Sequence, residues 1–479
     1  MKQSEPGLAT GSRRRTMSAS ALAWAGFQGG RDPYITLVSI YIFMPYVAMV
    51  MIGDAVKGQA MIAVYAMIGG LIAAATAPLL GASADRLGRR LPPLFLLSLL
   101  FAPLVLALWW ARPDGSGLSV PAVLIITLLI SLVFTYGEVL HNSLMPYAAR
   151  TERDAATMSG TALAIGNVVS VAALLFVLWA FALPGKVAWP FIPTAPLFGL
   201  DLHQAEPSRI AAPIAALLFS LGVIPMFLFT DDAPAGKISV VAAIRTGAKD
   251  LLRLLKSVRQ HREVAVYLGA RMLFSDAQIA LITFSGIYAA GVMHWGVLQM
   301  TAFGILMSFF AALGGLFASL LDRGLGPKRA LQIEIVGTIV GLVILLGVSP
   351  QGMRYVFAVA PNAAPLWSGP VFTTAPELVF LALGGIVAVF NTAIFASSRT
   401  FLTRLMPAGQ SGAFFGLYAL SSTATVWLGP LVVKTAVSTF HSQQAGNIAI
   451  AILLAIGLVF LSLVRDRGHV RSAKAGVPA

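Results

Sequence analysis

Runs of about 20 mostly apolar residues recur along the whole chain, separated by short polar stretches rich in Gly, Pro and Arg. A helix of that length crosses roughly 30 Å of hydrocarbon and bonds its own backbone internally. By that rule the pattern predicts spans at 24–52, 59–84, 92–111, 118–147, 157–183 and 208–230. A second set follows at 264–293, 297–321, 329–349, 376–397, 410–434 and 445–464. Six therefore stand on each side of a polar segment. In that segment Val241, Ile244, Ala248, Leu251, Leu252, Leu255 and Val258 recur at helical spacing, with Arg245, Lys249, Arg253 and Lys256 on another face. The spacing predicts an amphipathic helix lying on the membrane surface between two bundles. The expected parts are a tail at 1–23, a bundle at 24–230, a linker at 231–263, a second bundle at 264–464 and a tail at 465–479.

Composition agrees with an all-α membrane protein. Of the 479 residues 58% are hydrophobic and only 11% charged, too little polar surface to cover a soluble globule of this size. The net charge of +14 would suit nucleic acid in a soluble protein, but here the basic residues sit between apolar runs. Of the 33 Lys and Arg, only Lys57, Arg112, Lys186, Arg209 and Arg354 fall on one side of the spans, while Arg271 and Lys434 lie within them. The rest, including Arg13 to Arg15, fall on the other side, which the positive-inside rule makes cytoplasmic together with both termini. The chain has no Cys, and its six His show no ligand spacing, so neither a metal nor a cofactor is expected. No phosphate loop, nucleophile elbow or HExxH pattern occurs, which speaks against an enzyme.

The stretch "GASADRLGRRLPP" joins spans 2 and 3, and "LLDRGLGPKR" joins spans 8 and 9, about half a chain length later. Each offers Asp-Arg, then Gly, then paired basic residues. Duplicated halves of this kind mark transporters that bind substrate between two bundles. Gly81, Asp85, Arg86, Gly88, Arg89 and Arg90 resemble the loop 2-3 signature of the major facilitator superfamily. The resemblance implies the major facilitator fold, with 12 transmembrane helices in two pseudosymmetric six-helix bundles, and alternating access without nucleotide hydrolysis. It also implies a conformational latch at these residues, to which Asp322 and Arg323 are the second-half counterparts.

Three further stretches, "RMLFSDAQIALITFSGIYAAG", "ASSRTFLTRLMPAGQSGAFFGLYALSSTATVWLGPL" and "HNSLMPYAARTERDAATMSGTALAIGNVVS", are similar to the branch typified by the fungal vacuolar amino-acid effluxer and its bacterial relatives. Where that branch opens span 1 with an aromatic-Asp-Trp run, this chain has "FQGG", with Gln28 for the Asp and Gly29 for the Trp. After span 4, Tyr147 stands where that branch commonly has an acidic residue.

Ionisable residues inside spans are functional candidates by default. Asp276 lies about 18 Å into span 7, near the midplane, and Glu138 lies about 18 Å from Arg150 in span 4. Each can line a transport path and exchange a proton, bind a substrate amine, or hold helices together. Arg271, about 10 Å in, can snorkel or pair. Gln278, Asn142, Asn167 and Asn391 are interhelical glue or ligands, and Glu334 is expected to reach the cytoplasmic surface. Arg31 and Asp32 either belong to the site or mark the interface at the start of span 1.

The expected function is secondary transport of a small polar solute, an amino acid or related metabolite, across a bacterial-type inner membrane, with protons as a candidate coupling ion. The partners are then a small molecule and the bilayer, with no nucleic acid, and the protein works as a monomer. A lipid or drug exporter is the alternative, as is a non-transporting receptor or scaffold on a transporter fold.

Overall fold

A computed structural model of the chain describes residues 17–148, 152–232, 234, 239–258, 261–354, 356–359, 364–406 and 411–465. Eleven helices there are long and apolar enough to cross a membrane. In the first half these are span 1 (Ala19–Met51), span 2 (Ala55–Leu87), span 3 (Leu91–Trp110), span 4 (Val120–Ala148), span 5 (Glu152–Ala182) and span 6 (Glu206–Phe229). The second half supplies span 7 (Arg262–Met293), span 8 (Val297–Leu325), span 10 (Ala375–Leu405), span 11 (Ser411–Phe440) and span 12 (Gln443–Ser462). Pro327–Leu345, with Lys328, Arg329 and Glu334 in its first turns, completes the twelve as span 9.

The two halves repeat one packing scheme. Span 1 lies along spans 5 and 6, span 2 along span 4, and span 3 along spans 4 and 6. In the same order span 7 lies along spans 11 and 12, span 8 along span 10, and span 9 along spans 10 and 12. Contacts between the halves follow the same symmetry, span 2 meeting span 11 and span 5 meeting span 8.

Lipid tails are as apolar as leucine, so these helices associate by close packing and interhelical hydrogen bonds. Glycine permits the closest approach. Gly30 of span 1 crosses Gly222 of span 6 so tightly that a Cβ on Gly30 would lie 2.9 Å from the Gly222 Cα. Span 12 meets span 7 in the same manner, at Gly457 against the Phe274 backbone. Matching clamps tie spans 1 to 4 and 7 to 10. The Trp24 indole donates to the His141 carbonyl at 2.8 Å and its ring stacks on the imidazole. The Tyr267 hydroxyl donates to the Ser398 carbonyl, and its ring meets Phe401 edge-on.

Span 1 is not a plain α-helix. Tyr34–Tyr41 and Val47–Met51 are wound as π-helix, with a short α segment, Phe43–Tyr46, between them. Pro33 and Pro45 have no amide hydrogen to donate, so α hydrogen bonding is interrupted just where the wider winding begins and again within the short segment. Span 11 is broken at Thr425–Trp427, between Ser411–Ala424 and Leu428–Phe440.

The linker helix, Val240–Val258, packs on span 2. Ala243 and Gly247 are buried there, and Gly247 lies against the backbone of Ala82 and Ser83, while Arg245, Lys249, Arg253 and Lys256 are exposed. The expected amphipathic helix is present, and its small residues rest on protein. On the opposite face of the molecule Val348–Ser349, Gly352–Met353 and Phe357–Ala358 form a small antiparallel sheet over span 10.

Replacing Gly30 or Gly222 by Leu is expected to cost about 1–3 kcal/mol through overpacking. Gly269→Ala, where a Cβ meets nothing within 4 Å, should leave stability unchanged or slightly raised. Thermal unfolding in detergent checks both, and an unchanged midpoint for the Leu variants would contradict the crossing described.

Candidate functional site

The face bearing Ser18 and the turn at Gly88 is called here the basic face, and its opposite the far face. Ser18 caps span 1, its side chain accepting from the Ala21 amide at 3.1 Å. The helix therefore begins at Ala19, five residues earlier than expected, and Arg31 lies about 18 Å inside it. Arg31 and Asp32 are thus not interfacial. The Arg31 guanidinium donates to Glu138 at 2.8 Å, packs 4.0 Å from the Phe134 ring centre, and is held from behind by Gln28 at 3.4 Å. Gln28 in turn donates to Asp32 at 2.6 Å, and the Asp32 carboxylate presses on Gly166 of span 5. The Glu138 side chain is 48% exposed and that of Arg31 only 7%, so the pair joins a buried cation to a carboxylate that meets solvent or lipid.

In the second half Arg271 does not snorkel. It is buried and donates to the Tyr418 carbonyl and the Ser421 hydroxyl, each at 2.6 Å, with its guanidinium 3.4 Å from the Tyr418 ring centre. Asp276 is 1% exposed and enclosed by its own bundle. Neither of its carboxylate oxygens has a hydrogen-bond partner among the described residues. Around it lie the Thr425 hydroxyl, the Leu428 amide and Arg271, and Gly429 packs on its backbone. Asp276 thus faces the break in span 11. Trp427, in that break, rests on Gly70 of span 2 in the other half.

Glu334 also departs from expectation. It is fully buried and accepts from the Ser397 hydroxyl at 2.7 Å, because its side of span 9 turns to span 10 instead of to the surface. Gln278 is buried and donates to the Asn391 backbone carbonyl at 2.8 Å, whereas Asn142 is exposed.

Between the halves lies a cavity of about 220 Å³. Thr36, Ile40, Tyr41 and Asn167 line it from the first half. The second half supplies most of the wall, including Leu281, Tyr288, Phe303, Met307, Phe380 and Asn391. Of the polar residues named as candidate ligands, Asn391 and Asn167 border it. Asp276, Glu138, Arg271, Gln278 and Asn142 do not, although Asp32 sits one helical turn from Thr36. Beside the cavity the halves touch: Gly286 of span 7 lies against the Ile40 carbonyl and Gly304 of span 8 against the Tyr41 ring. Ala182, Leu183 and Ile192 pack on Leu298 in the same region.

The repeated signature is placed symmetrically. Gly88 (φ +83°) ends span 2 and Gly326 (φ +79°) ends span 8, both in a region that favours glycine. Gly81, Asp85 and Arg86 belong to the last turns of span 2, not to a loop, and the Asp85 side chain lies outside the described residues. Arg86, Arg89 and Arg323 are exposed. Arg90 is buried with its guanidinium 4.8 Å from the Tyr147 ring centre. Its amide and that of Leu91 donate to Asp232, which caps span 3. Asp322 has a buried oxygen with no partner among the described residues.

The Arg31 cluster and the Tyr288 side of the cavity were the parts least evident beforehand. An N-cap reading of Ser18 would have moved the span start and placed Arg31 and Asp32 at mid-depth.

Twelve helices in two matching halves, with a cavity lined by both, define a multi-pass membrane protein of the major facilitator transporter fold. Among solved structures the chain is similar to a D-xylose-proton symporter, with TM-score 0.62 and 11% identity over 94% of this chain and 98% of that one. It is likewise similar to the nucleoside transporter NupG, with TM-score 0.58 and 15% identity over 93% and 98%. The chain belongs to the family described as vacuole effluxer Atg22 like, whose family model matches residues 46–474. Similar curated proteins include autophagy-related protein 22 of Yarrowia lipolytica, 26% identical over 47% of this chain and 35% of that protein. Autophagy-related protein 22-2 of Emericella nidulans is 27% identical over 46% and 36%. The matched segment thus spans about a third of the length of these relatives.

Breaking the Arg31–Glu138 pair with Glu138→Gln should destabilise the protein by about 1–3 kcal/mol, less than a fully buried pair because Glu138 is half-exposed. Adding Arg31→Gln should restore part of the loss, as measured by thermal unfolding across the double-mutant cycle. Gly286→Val should force spans 1 and 7 apart, since a Cβ there would collide with the Ile40 carbonyl. The chain has no native cysteine, so Thr36→Cys reports alone. Its labelling by an impermeant thiol reagent from the far face should rise several-fold.

Proposed function

We propose that the protein is a secondary transporter that moves a small polar solute, an amino acid or related metabolite, by alternating access. The observation that carries this reading is the cavity lined by both of two pseudosymmetric bundles, beside which span 1 meets spans 7 and 8 at Ile40–Gly286 and Tyr41–Gly304. Membership of the vacuole effluxer family supports efflux as the direction. The Lys and Arg distribution supports a cytoplasmic basic face. Asn167 lines the cavity, and Glu138 and Asn142 are exposed. Rocking of the bundles would part span 1 from spans 7 and 8 and bring the basic-face signatures around Asp85 and Asp322 together as a latch. An all-helical span set suits a plasma or bacterial inner membrane, and one chain contains both halves, so a monomer suffices.

Protons are the proposed coupling ion. Glu138, paired with Arg31, and Asp276, unpaired beside the span 11 break, are the carboxylates assigned to carry them. Protonation of Glu138 would release Arg31, and protonation of Asp276 would remove a charge next to the hinge that holds Trp427 on span 2. A second reading, export of a drug-like or lipid cargo, is favoured by the apolar part of the cavity wall, formed by Leu281, Phe303, Met307 and Phe380.

The test is a metabolite screen in proteoliposomes under an imposed pH gradient, repeated for Asp276→Asn and Glu138→Gln. Gradient-driven flux should fall about tenfold or more in each variant, equivalent to ~1.4 kcal/mol, while solute exchange without a gradient persists. Coupling equal to the parent's in both variants would overturn the carboxylate assignment. Absence of any solute movement by the parent would overturn transport.

A further inference from the structure

The cavity wall contains no Asp, Glu, Lys, Arg or His among the described residues. It does contain polar groups that the protein leaves unsatisfied. The Tyr288 hydroxyl and the Asn391 side-chain oxygen are buried, in residues 1% and 5% exposed, and neither makes a hydrogen bond within 3.5 Å among the described residues. The Asn447 side chain, which also lines the cavity, stands close enough to act on the Tyr288 hydroxyl as a longer hydrogen-bond partner. Buried polar groups without partners are rare and costly, so two of them on one cavity mark a place where a ligand supplies the missing bonds.

We propose that the cavity receives an uncharged group that both donates and accepts hydrogen bonds, such as a carboxamide, and that Tyr288 and Asn391 set this preference. The inference rests on the transport reading and narrows its cargo. The side-chain oxygen of Asn391 only accepts, so it requires a donor from the ligand, while the Tyr288 hydroxyl can serve either partner. A carboxamide meets both demands. A carboxylate has no hydrogen for Asn391, and an ammonium, which can donate to both oxygens, leaves the Tyr288 hydrogen without an acceptor. Each would also bring a formal charge into a wall without a counter-charge, which is heavily disfavoured in a desolvated site. Charged parts of a cargo have partners only outside the cavity, near Asp32 one turn towards the basic face. The remaining wall, Phe303, Phe380, Met307 and Leu281, offers apolar surface to a ring or branched chain. At about 220 Å³ the cavity holds on the order of seven waters or a compact solute of similar size.

Two sets of near-isosteric probes test this on the purified full chain: benzamide, benzoate and benzylamine, and isovaleramide, isovalerate and isopentylamine. Calorimetric binding and inhibition of solute exchange in proteoliposomes are measured for the parent, Tyr288→Phe, Asn391→Leu and Asn391→Asp. Each amide should bind about tenfold or more tightly than its charged partners. Tyr288→Phe and Asn391→Leu should each weaken amide binding about threefold to tenfold, the loss of one hydrogen bond. Asn391→Asp should shift the preference towards the amines, a gain that a merely unfolded variant would not show. Equal binding of charged and uncharged probes, amide affinities unaltered in Tyr288→Phe and Asn391→Leu, or no binding of any probe would overturn the proposal. If solutes exchange but these variants leave selectivity untouched, the cavity assignment fails and transport stands. If amides bind through Tyr288 and Asn391 but nothing crosses the membrane, the reverse holds.

Discussion

In hydrocarbon every backbone amide and carbonyl must find its partner within the protein, and the architecture follows from that constraint. Helices meet it alone, so the chain becomes a series of spans, and helices then pack by shape because lipid offers no hydrophobic drive to bring them together. Glycine contacts such as Gly30–Gly222 and Gly457–Phe274, and indole or phenol clamps such as Trp24–His141 and Tyr267–Ser398, provide the cohesion within each half. Their recurrence at matching places in both halves makes each bundle a unit that can move as a body.

The places where regular α bonding is interrupted are the places where the halves meet. The π-wound stretch after Pro33 contributes Thr36, Ile40 and Tyr41 to the cavity and presents the Ile40 carbonyl to Gly286. The break at Thr425–Trp427 adjoins Asp276 on one side and span 2 of the other half on the other. Irregular backbone at membrane depth is tolerated only against protein or a water-filled space. The π-wound stretch borders the cavity, and the span 11 break lies against protein from both halves.

The ionisable groups and the cavity occupy different places. Ionisable groups form one cluster in the first half, Gln28–Arg31–Asp32–Glu138, and separate buried positions in the second, while the cavity wall is neutral. Under the proposed proton coupling, such separation would let coupling and recognition be altered independently, since a proton on a remote carboxylate would change helix packing without entering the pocket. Asp276 illustrates the arrangement. Its carboxylate is shut off from the cavity, and any influence on the cargo must pass through the span 11 break.

The membrane class, the spans and the duplication were all legible in the amino-acid sequence, because twenty-residue apolar runs, basic loops and the Asp-Arg-Gly repeat are local patterns imposed by the bilayer and by helix ends. Family resemblance carried the fold from there. Depth was less legible: a span start displaced to Ala19 by the Ser18 cap moved Arg31 from the interface to mid-membrane. Direction was not legible at all. Which way Glu334, Arg271 or Asp276 points depends on the rotation of each helix about its own axis, and that rotation is decided by neighbours distant in sequence, such as Ser397, Tyr418 and Thr425. Hydrophobic periodicity cannot report it when lipid and protein interior are equally apolar. Tertiary packing alone therefore separated the residues that border the cavity from those that brace the bundles.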